Sequence, residues 1–230
     1  MVTSSFMMLY PINEIFQTIQ GEGVFTGLPA IFVRLQGCPV GCPWCDTRHT
    51  WVVDPARQVP ISQVLDCSNE SDGWSPMSGA QVLASFAELG YRAKHVVITG
   101  GEPCLYDLNE LSETLHQAGY QLQIETSGTS EILTHPATWV TVSPKIGMAG
   151  GLTVLPSALA RANEIKHPVA MMRHVEELDD LLSGAQLRED VVIALQPISQ
   201  KPRATELAMA VCIERNWRLS IQTHKYLEID

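Results

Sequence analysis

The sequence predicts an α/β protein built on a mostly parallel sheet with helices over its faces. Short β-branched runs alternate with helical patterns along the 230 residues, the rhythm of strand–helix–strand units. No long repeat, low-complexity tract or linker interrupts it. Nearly every predicted strand runs out into Gly, Ser, Thr, Lys or Gln, and in parallel α/β folds ligands bind beyond the carboxyl ends of the strands.

Ala30–Leu35 is the first predicted strand, followed by Gln36-Gly37-Cys38. From His49 to Ser78 the chain is rich in Pro, Ser, Asp and Asn and loses the rhythm. It reads as an irregular excursion over about 50–78, of a length usually functional or mobile. The next strand, His95–Thr99, ends in Thr99-Gly100-Gly101-Glu102-Pro103. A helix follows over Asp107–Ala118, where Leu108, Leu111 and Leu115 share a face, Asp107 caps the start and Gly119 stops the end. Gln121–Glu125 is a strand ending in Thr126-Ser127-Gly128-Thr129, and Trp139–Val142 one ending in Ser143-Pro144-Lys145. Helical Ser157–Asn163 leads to strand Glu164–Lys166 and His167-Pro168. Helical Val175–Leu182 leads to strand Val191–Leu195 and Gln196-Pro197-Ile198-Ser199. Helical Ala204–Arg215 leads to strand Arg218–Gln222 and Thr223-His224-Lys225. One polar strand end is ordinary loop chemistry. Polar ends on nearly all of them predict one site collected from the whole sheet rim.

Length and a 45% apolar content allow one domain, or two small ones, with a real core; with no linker, residues 1–230 read as one. The net charge of −10, from 15 basic and 25 acidic side chains with no basic run, argues against a nucleic-acid substrate. No apolar run approaches the roughly 20 residues needed to cross a bilayer. The first basic residue is Arg34, so the start has no positive targeting region, although Met7 and Met8 leave the true start open. A cytoplasmic location is expected. There a disulfide framework is unexpected for the six cysteines.

Three of them crowd together in Cys38-Pro-Val-Gly-Cys42-Pro-Trp-Cys45, a CxxxCxxC loop rich in Gly and Pro. Three readings compete. Zinc could take these thiolates with His49 or Cys67 as fourth ligand. Cys42-Pro43-Trp44-Cys45 could be a redox CxxC. An iron–sulfur cluster could be held by three thiolates with one iron open. The redox reading leaves Cys38 unexplained, and Asp46-Thr47-Arg48-His49 is a poor helix start. Zinc explains the cysteines but not the polar strand ends. Inert burial suits one cysteine, not three in one loop.

A CxxxCxxC loop after a first strand, with aromatic Trp44 before its last cysteine, resembles the signature of radical S-adenosylmethionine (SAM) enzymes. Gly100-Gly101-Glu102-Pro103 resembles the motif by which that superfamily binds the SAM amino group. The likeness covers most of the chain from Tyr10 to Lys225. Within the superfamily, Gln17-Thr18-Ile19-Gln20-Gly21-Glu22-Gly23, Arg34, Cys45-Asp46-Thr47, Ser143-Pro144-Lys145 and Thr223-His224-Lys225 resemble the 7-carboxy-7-deazaguanine synthase family. That resemblance implies an incomplete, modified (β/α) barrel and a homodimer. It implies conversion of 6-carboxy-5,6,7,8-tetrahydropterin to 7-carboxy-7-deazaguanine with loss of ammonia, in queuosine and 7-deazapurine biosynthesis. A [4Fe–4S] cluster on Cys38, Cys42 and Cys45 would cleave SAM, and the resulting 5′-deoxyadenosyl radical would take hydrogen from substrate C6. A reductant such as a flavodoxin would supply the electron.

By the same resemblance, Gly101 and Glu102 meet the methionine end of SAM, Ser143, Pro144 and Lys145 lie along it, and Ser127 is nearby. Gln20, Gly21 and the Ile19 backbone hold the pterin edge, and Thr99 hydrogen-bonds the substrate. Thr47 ligates Mg2+, with Asp46 as neighbouring charge. Arg34 pairs with the substrate carboxylate: a core strand is a costly place for an unpaired guanidinium, and arginine binds carboxylates bidentately. Glu22, Gln196, His224 and Lys225 are further rim candidates. His95, His116 and His135 read as structural, and Cys67, Cys104 and Cys212 as non-ligands. Two other functions fit parts of the pattern: a glycyl-radical activase, which shares CxxxCxxC but not Gln20-Gly21-Glu22 and Arg34, and a zinc-binding adaptor.

Overall fold

The computed structural model describes residues 8–66, 72–198 and 201–227; Met7, Cys67 and Ser199 lie outside them. Among the described residues nine strands join in one sheet: β1 (Tyr10–Ile19), β2 (Pro29–Leu35), β3 (Ser75–Met77), β4 (His95–Gly100), β5 (Gln121–Thr126), β6 (Trp139–Val142), β7 (Glu164–Val169), β8 (Val192–Pro197) and β9 (Arg218–Leu219). Their spatial order is β3-β1-β2-β4-β5-β6-β7-β8-β9. From β2 to β9 every pairing is parallel, whereas β1 runs antiparallel to both β2 and β3. The sheet does not close on itself: β3 and β9 each pair on one side only.

Helices cover the outer face: α1 (Ile61–Val64), α2 (Gly79–Glu88), α3 (Asn109–Gln117), α4 (Pro156–Arg161), α5 (Met172–Ser183) and α6 (Pro202–Arg215), with α7 (Thr223–Leu227) at the C-terminal edge. Two apolar clusters hold them. One gathers Ile31, Val33, Leu35, Val96, Ile98 and Ile124 against Val82 and Phe86 of α2 and Leu111 and Leu115 of α3. The other gathers Val140, Val142, Ile165 and Leu195 against Leu159, Leu178, Ala208 and Val211. Because successive strand side chains point to opposite faces, Arg34, Thr99, Glu125 and Lys166 turn to the inner, concave face.

The predicted strands correspond to β2 and β4–β9, although β9 is only Arg218–Leu219 and the chain turns into α7 at Thr223. At α3 the residue before the helix is Leu108, yet Asp107 still serves the end, its Oδ1 accepting the Asn109 N–H at 2.9 Å. The sequence reading lacked β1, β3 and α2. In β1 a bulge between Ile12 and Glu14 shifts the register and breaks the inside–outside alternation. In α2, Ser78 and Gln81 form a reciprocal capping box. The described residues of the 50–78 excursion form short turns, the single turn α1, and β3 laid along Tyr10–Ile12.

Candidate active site

The parallel strands deliver their polar ends to a cavity of about 270 Å³ on the inner face. Its walls include Cys38, Cys42, Cys45, Asp46 and Thr47 from the loop after β2. Thr99, Gly101 and Glu102 come from the end of β4, Ser127 from β5, and Ser143 and Lys145 from β6. Glu22, Gln196 and Lys225 also line it.

The two key loops are fastened to each other. Gly101 N–H donates to Leu35 O at 2.9 Å and Glu102 N–H to Gly37 O at 2.8 Å, so β4 extends alongside the chain entering the cysteine loop. That closeness demands glycine. A Cβ on Gly101 would lie 2.2 Å from Gly37 O and 2.8 Å from Cys38 Cβ, and Gly100 has φ +140 with Leu35 O equally near. The cysteine loop is braced from behind: Cys38 N–H donates to Trp51 O at 2.9 Å, and the Gln36 amide donates to His49 O and Val52 O. The Trp51 indole donates to Cys45 Sγ at 3.3 Å, and Thr47 Oγ1 lies 3.7 Å from the same sulfur. Burial pushes the Cys38 thiol up to about 11 and raises that of Cys42, which Lys145 opposes. Cys38, Cys42 and Cys45 share one wall of the cavity, where an iron centre would take them as thiolates. Among the described residues no three His, Cys, Asp or Glu side chains gather as a ready cage for a single ion.

Glu102, expected at the methionine end of SAM, is heavily committed within the protein. Its side chain is 1% exposed, and it accepts from Cys104 N, Thr126 Oγ1, Ser127 N and Ser127 Oγ. Those four bonds use its acceptor capacity, so it ties the end of β5 to the β4 loop, leaving Gly101 as the freer cavity surface. Ser143 accepts from Lys145 Nζ at 2.6 Å, and burial lowers the Lys145 pKa.

Opposite the cysteines lies a charged floor. Lys166 Nζ donates to Glu22 Oε2 at 2.6 Å and to Glu125 Oε2 at 2.9 Å. Gln222 Nε2 donates to the other Glu22 oxygen at 2.8 Å and Gln123 Nε2 to the other Glu125 oxygen at 2.9 Å. Burial disfavours every charge here. Lys166 and Gln222 nevertheless hold Glu22 at about 2, while burial, with Glu22 and Glu164 adding to it, pushes Glu125 up to about 7. Lys166, its own burial outweighed by Glu125 and Glu22, is held protonated well above its ordinary value.

Several expected residues stand back from the cavity. Arg34, beside Thr99 in register, forms an ion pair with Glu14 and lies 5.7 Å over the Phe16 ring. Gln20 is buried, donating to Gln123 at 3.2 Å and accepting from Glu22 N–H at 3.1 Å. Ile19 ends β1, and Gly21 packs on His224, with its carbonyl accepting from Thr223. Pro144 lines an adjoining hollow of about 470 Å³ with Trp44 and His167. The sequence reading did not single out Glu125, Lys166 or Gln222. A weaker signal was present for the first two: each is a charge within a short strand, next to buried Ile124 or Ile165.

A family model described as the radical SAM superfamily matches residues 32–147. A 7-carboxy-7-deazaguanine synthase of Escherichia coli (strain K12) is 59% identical over 222 residues, covering 96% of this chain and 100% of that protein. One from Buchnera aphidicola subsp. Schizaphis graminum is 46% identical over the same shares. The crystal structure of QueE from Escherichia coli superposes with a TM-score of 0.91 at 58% identity, covering 93% of this chain and 94% of that one. No helix among the described residues is long and apolar enough to cross a membrane.

Proposed function

The chain belongs to the 7-carboxy-7-deazaguanine synthase family of the radical SAM superfamily, and from that membership we propose that its strand-end cavity converts 6-carboxy-5,6,7,8-tetrahydropterin to 7-carboxy-7-deazaguanine with loss of ammonia. The observation that carries this is the meeting of three cysteines, the Gly100-Gly101 loop and a Glu–Lys–Glu floor around one cavity. Full-length identity to synthases sets aside the activase and zinc-adaptor alternatives.

The residues present fit a [4Fe–4S] cluster. Cys38, Cys42 and Cys45 are sulfur donors on one glycine-containing loop, and the Trp51 indole N–H is directed at the Cys45 sulfur, a kind of hydrogen bond that tunes the potential of such clusters. Bound there with SAM, the cluster supplies the reductive radical chemistry that the side chains cannot. The chain supplies position. Gly101 gives the close approach, and Ser143 and Lys145 present a hydroxyl and an ammonium along the same wall. Thr99 and Arg34 lie side by side to receive the substrate carboxylate, which would draw Arg34 from Glu14. Thr47 offers Mg2+ one hydroxyl, with Asp46 next to it. Glu22 and Lys166 fix the floor on which the pterin rests. The reading includes a homodimer, a cytoplasmic location and electrons from a reducing partner such as a flavodoxin.

Anaerobic incubation with the carboxytetrahydropterin, SAM and a reductant tests the assignment: 7-carboxy-7-deazaguanine and ammonia should appear together. Cys38→Ala, Cys42→Ala and Cys45→Ala should each abolish SAM cleavage and lower iron content, whereas Cys67→Ala and Cys212→Ala should keep both. Iron lost equally from Cys67→Ala would establish a four-cysteine site instead.

A further inference from the structure

We propose that Glu125 carries the proton in the ammonia-releasing step, taking it from carbon and passing it to the departing nitrogen, with the Glu22–Lys166 pair setting it for that task. The inference rests on the function proposed above. Substrate and product differ by one molecule of ammonia and no electrons. In the closing elimination, the electron pair of a C–H bond becomes the new ring double bond. The pair of the C–N bond leaves with nitrogen, and the proton from carbon ends on that nitrogen. A single group able to accept and then donate a proton serves both halves, and general acid–base catalysis works best when that group titrates near the working pH.

Glu125 has the place for it. It is the penultimate residue of β5 and lines the cavity, immediately before Thr126 and Ser127, which clasp Glu102 beside the Gly100-Gly101 loop. Two cavity carboxylates, Glu22 and Glu125, compete for the Lys166 ammonium; each has an amide as second donor, Gln222 and Gln123, but Glu22 holds the shorter lysine bond, 2.6 Å against 2.9 Å. Glu164, the third carboxylate facing this floor, is occupied by Val24 N–H and Thr141 Oγ1 and does not line the cavity. The remaining charged or titratable groups that bear on the floor are Lys145, whose own partner is Ser143, and His224, which acts on Glu22. One ammonium cannot fully neutralise two desolvated carboxylates, so their affinities for the proton separate. Glu22 stays ionised with a pKa of about 2, and burial lifts Glu125 to about 7. Neighbouring acids driven apart in this way mark a division of labour between a fixed charge and a proton carrier.

The test uses cluster-loaded Glu125→Gln enzyme, under anaerobic conditions, with substrate deuterated at C6. Ammonia release should fall by roughly 10²–10⁴-fold, the usual contribution of a positioned acid–base group. Deuterium should still leave C6, and affinity for the oxidised analogue 6-carboxypterin, read by fluorescence quenching, should stay at the wild-type value. The limb near pH 7 in the wild-type kcat profile should vanish. Ammonia release at the wild-type rate, a persistent limb, or loss of pterin affinity would each overturn the proposal. If Gln prevents cluster loading, Glu125→Asp serves: its limb should move while pterin affinity holds, and an unmoved limb overturns the proposal. A wild-type enzyme that cleaves SAM yet never releases ammonia from the pterin defeats the proposed function instead, which keeps the two failures apart.

Discussion

Thr47 and Arg34 show how much a single side chain can be asked to do. The Thr47 hydroxyl faces the cavity 3.7 Å from Cys45 Sγ, and Thr47 O accepts from Thr50 Oγ1 at 2.8 Å. The backbone therefore does the turn's work and leaves the hydroxyl for a ligand. Thr47→Val should raise the Mg2+ concentration needed for half-maximal turnover, and Thr47→Ser should spare most of that response. An unchanged magnesium titration in cluster-loaded Thr47→Val would remove the residue from the metal site. Arg34 is held by Glu14, with side chains 17% and 41% exposed, so solvent weakens that pair, and a ligand carboxylate can displace it. Truncating one member of a buried charge pair costs about 2–5 kcal/mol. We predict that Arg34→Ala weakens 6-carboxypterin binding toward the lower end of that range, with iron content and SAM binding intact. Normal pterin affinity would return Arg34 to a purely structural role with Glu14. Arg34 was legible as a charge in an apolar strand; its Glu14 partner was not, because β1 was not recognised as the adjoining strand.

At the scale of elements, legibility followed periodicity. Strands β2 and β4–β8 are short, β-branched and bounded by turn residues, so the parallel sheet could be read directly. In β1 the bulge at Ile12/Glu14 moves the apolar side chains from one alternation to another, erasing the period-two signal over Tyr10–Ile19. β3 has three residues and exists only through its pairing to β1. The site was legible where chemistry needs rare residues at fixed spacing, as in CxxxCxxC and Gly-Gly-Glu. It was illegible where ordinary residues from distant segments meet, as Glu22, Glu125, Lys166 and Gln222 do. The junction of the cysteine loop with the β4 loop yields a sharp expectation. Gly101→Ala places a methyl group 2.2 Å from Gly37 O, and backbone on both sides cannot yield. The Gly101–Leu35 and Glu102–Gly37 hydrogen bonds should break, and iron content and SAM affinity should fall together. A Gly101→Ala protein that loads iron and binds SAM normally would show that the loops can separate without consequence.

At the scale of the whole molecule, the charged floor also closes the fold. Glu22 reaches Gln222, Gly21 O accepts from Thr223, and Gly23 N–H donates to Ser220 Oγ at 2.9 Å, so the C-terminal segment is sewn to the loop after β1 across the mouth of the open barrel. Stability should therefore carry the titration of the two carboxylates that share Lys166, with opposite signs. Glu22 falls from the ordinary 4.5 to about 2 on folding. Its contribution is complete above pH 4.5 and disappears as pH falls through about 2. Glu125 rises from 4.5 to about 7. Its contribution is complete below pH 4.5 and disappears as pH rises through about 7. The joint contribution is thus greatest near 4.5, where neither carboxylate has spent its share. Guanidinium denaturation midpoints measured across this range should show Glu22→Gln flattening the acid flank and Glu125→Gln flattening the flank toward neutrality. Glu22→Gln should do one thing more. By removing the competing anion it gives Lys166 wholly to Glu125, which lowers the Glu125 pKa and moves the kcat limb to lower pH. A limb that stays in place when Glu22 is neutralised would show that the two carboxylates do not share the lysine as the geometry indicates.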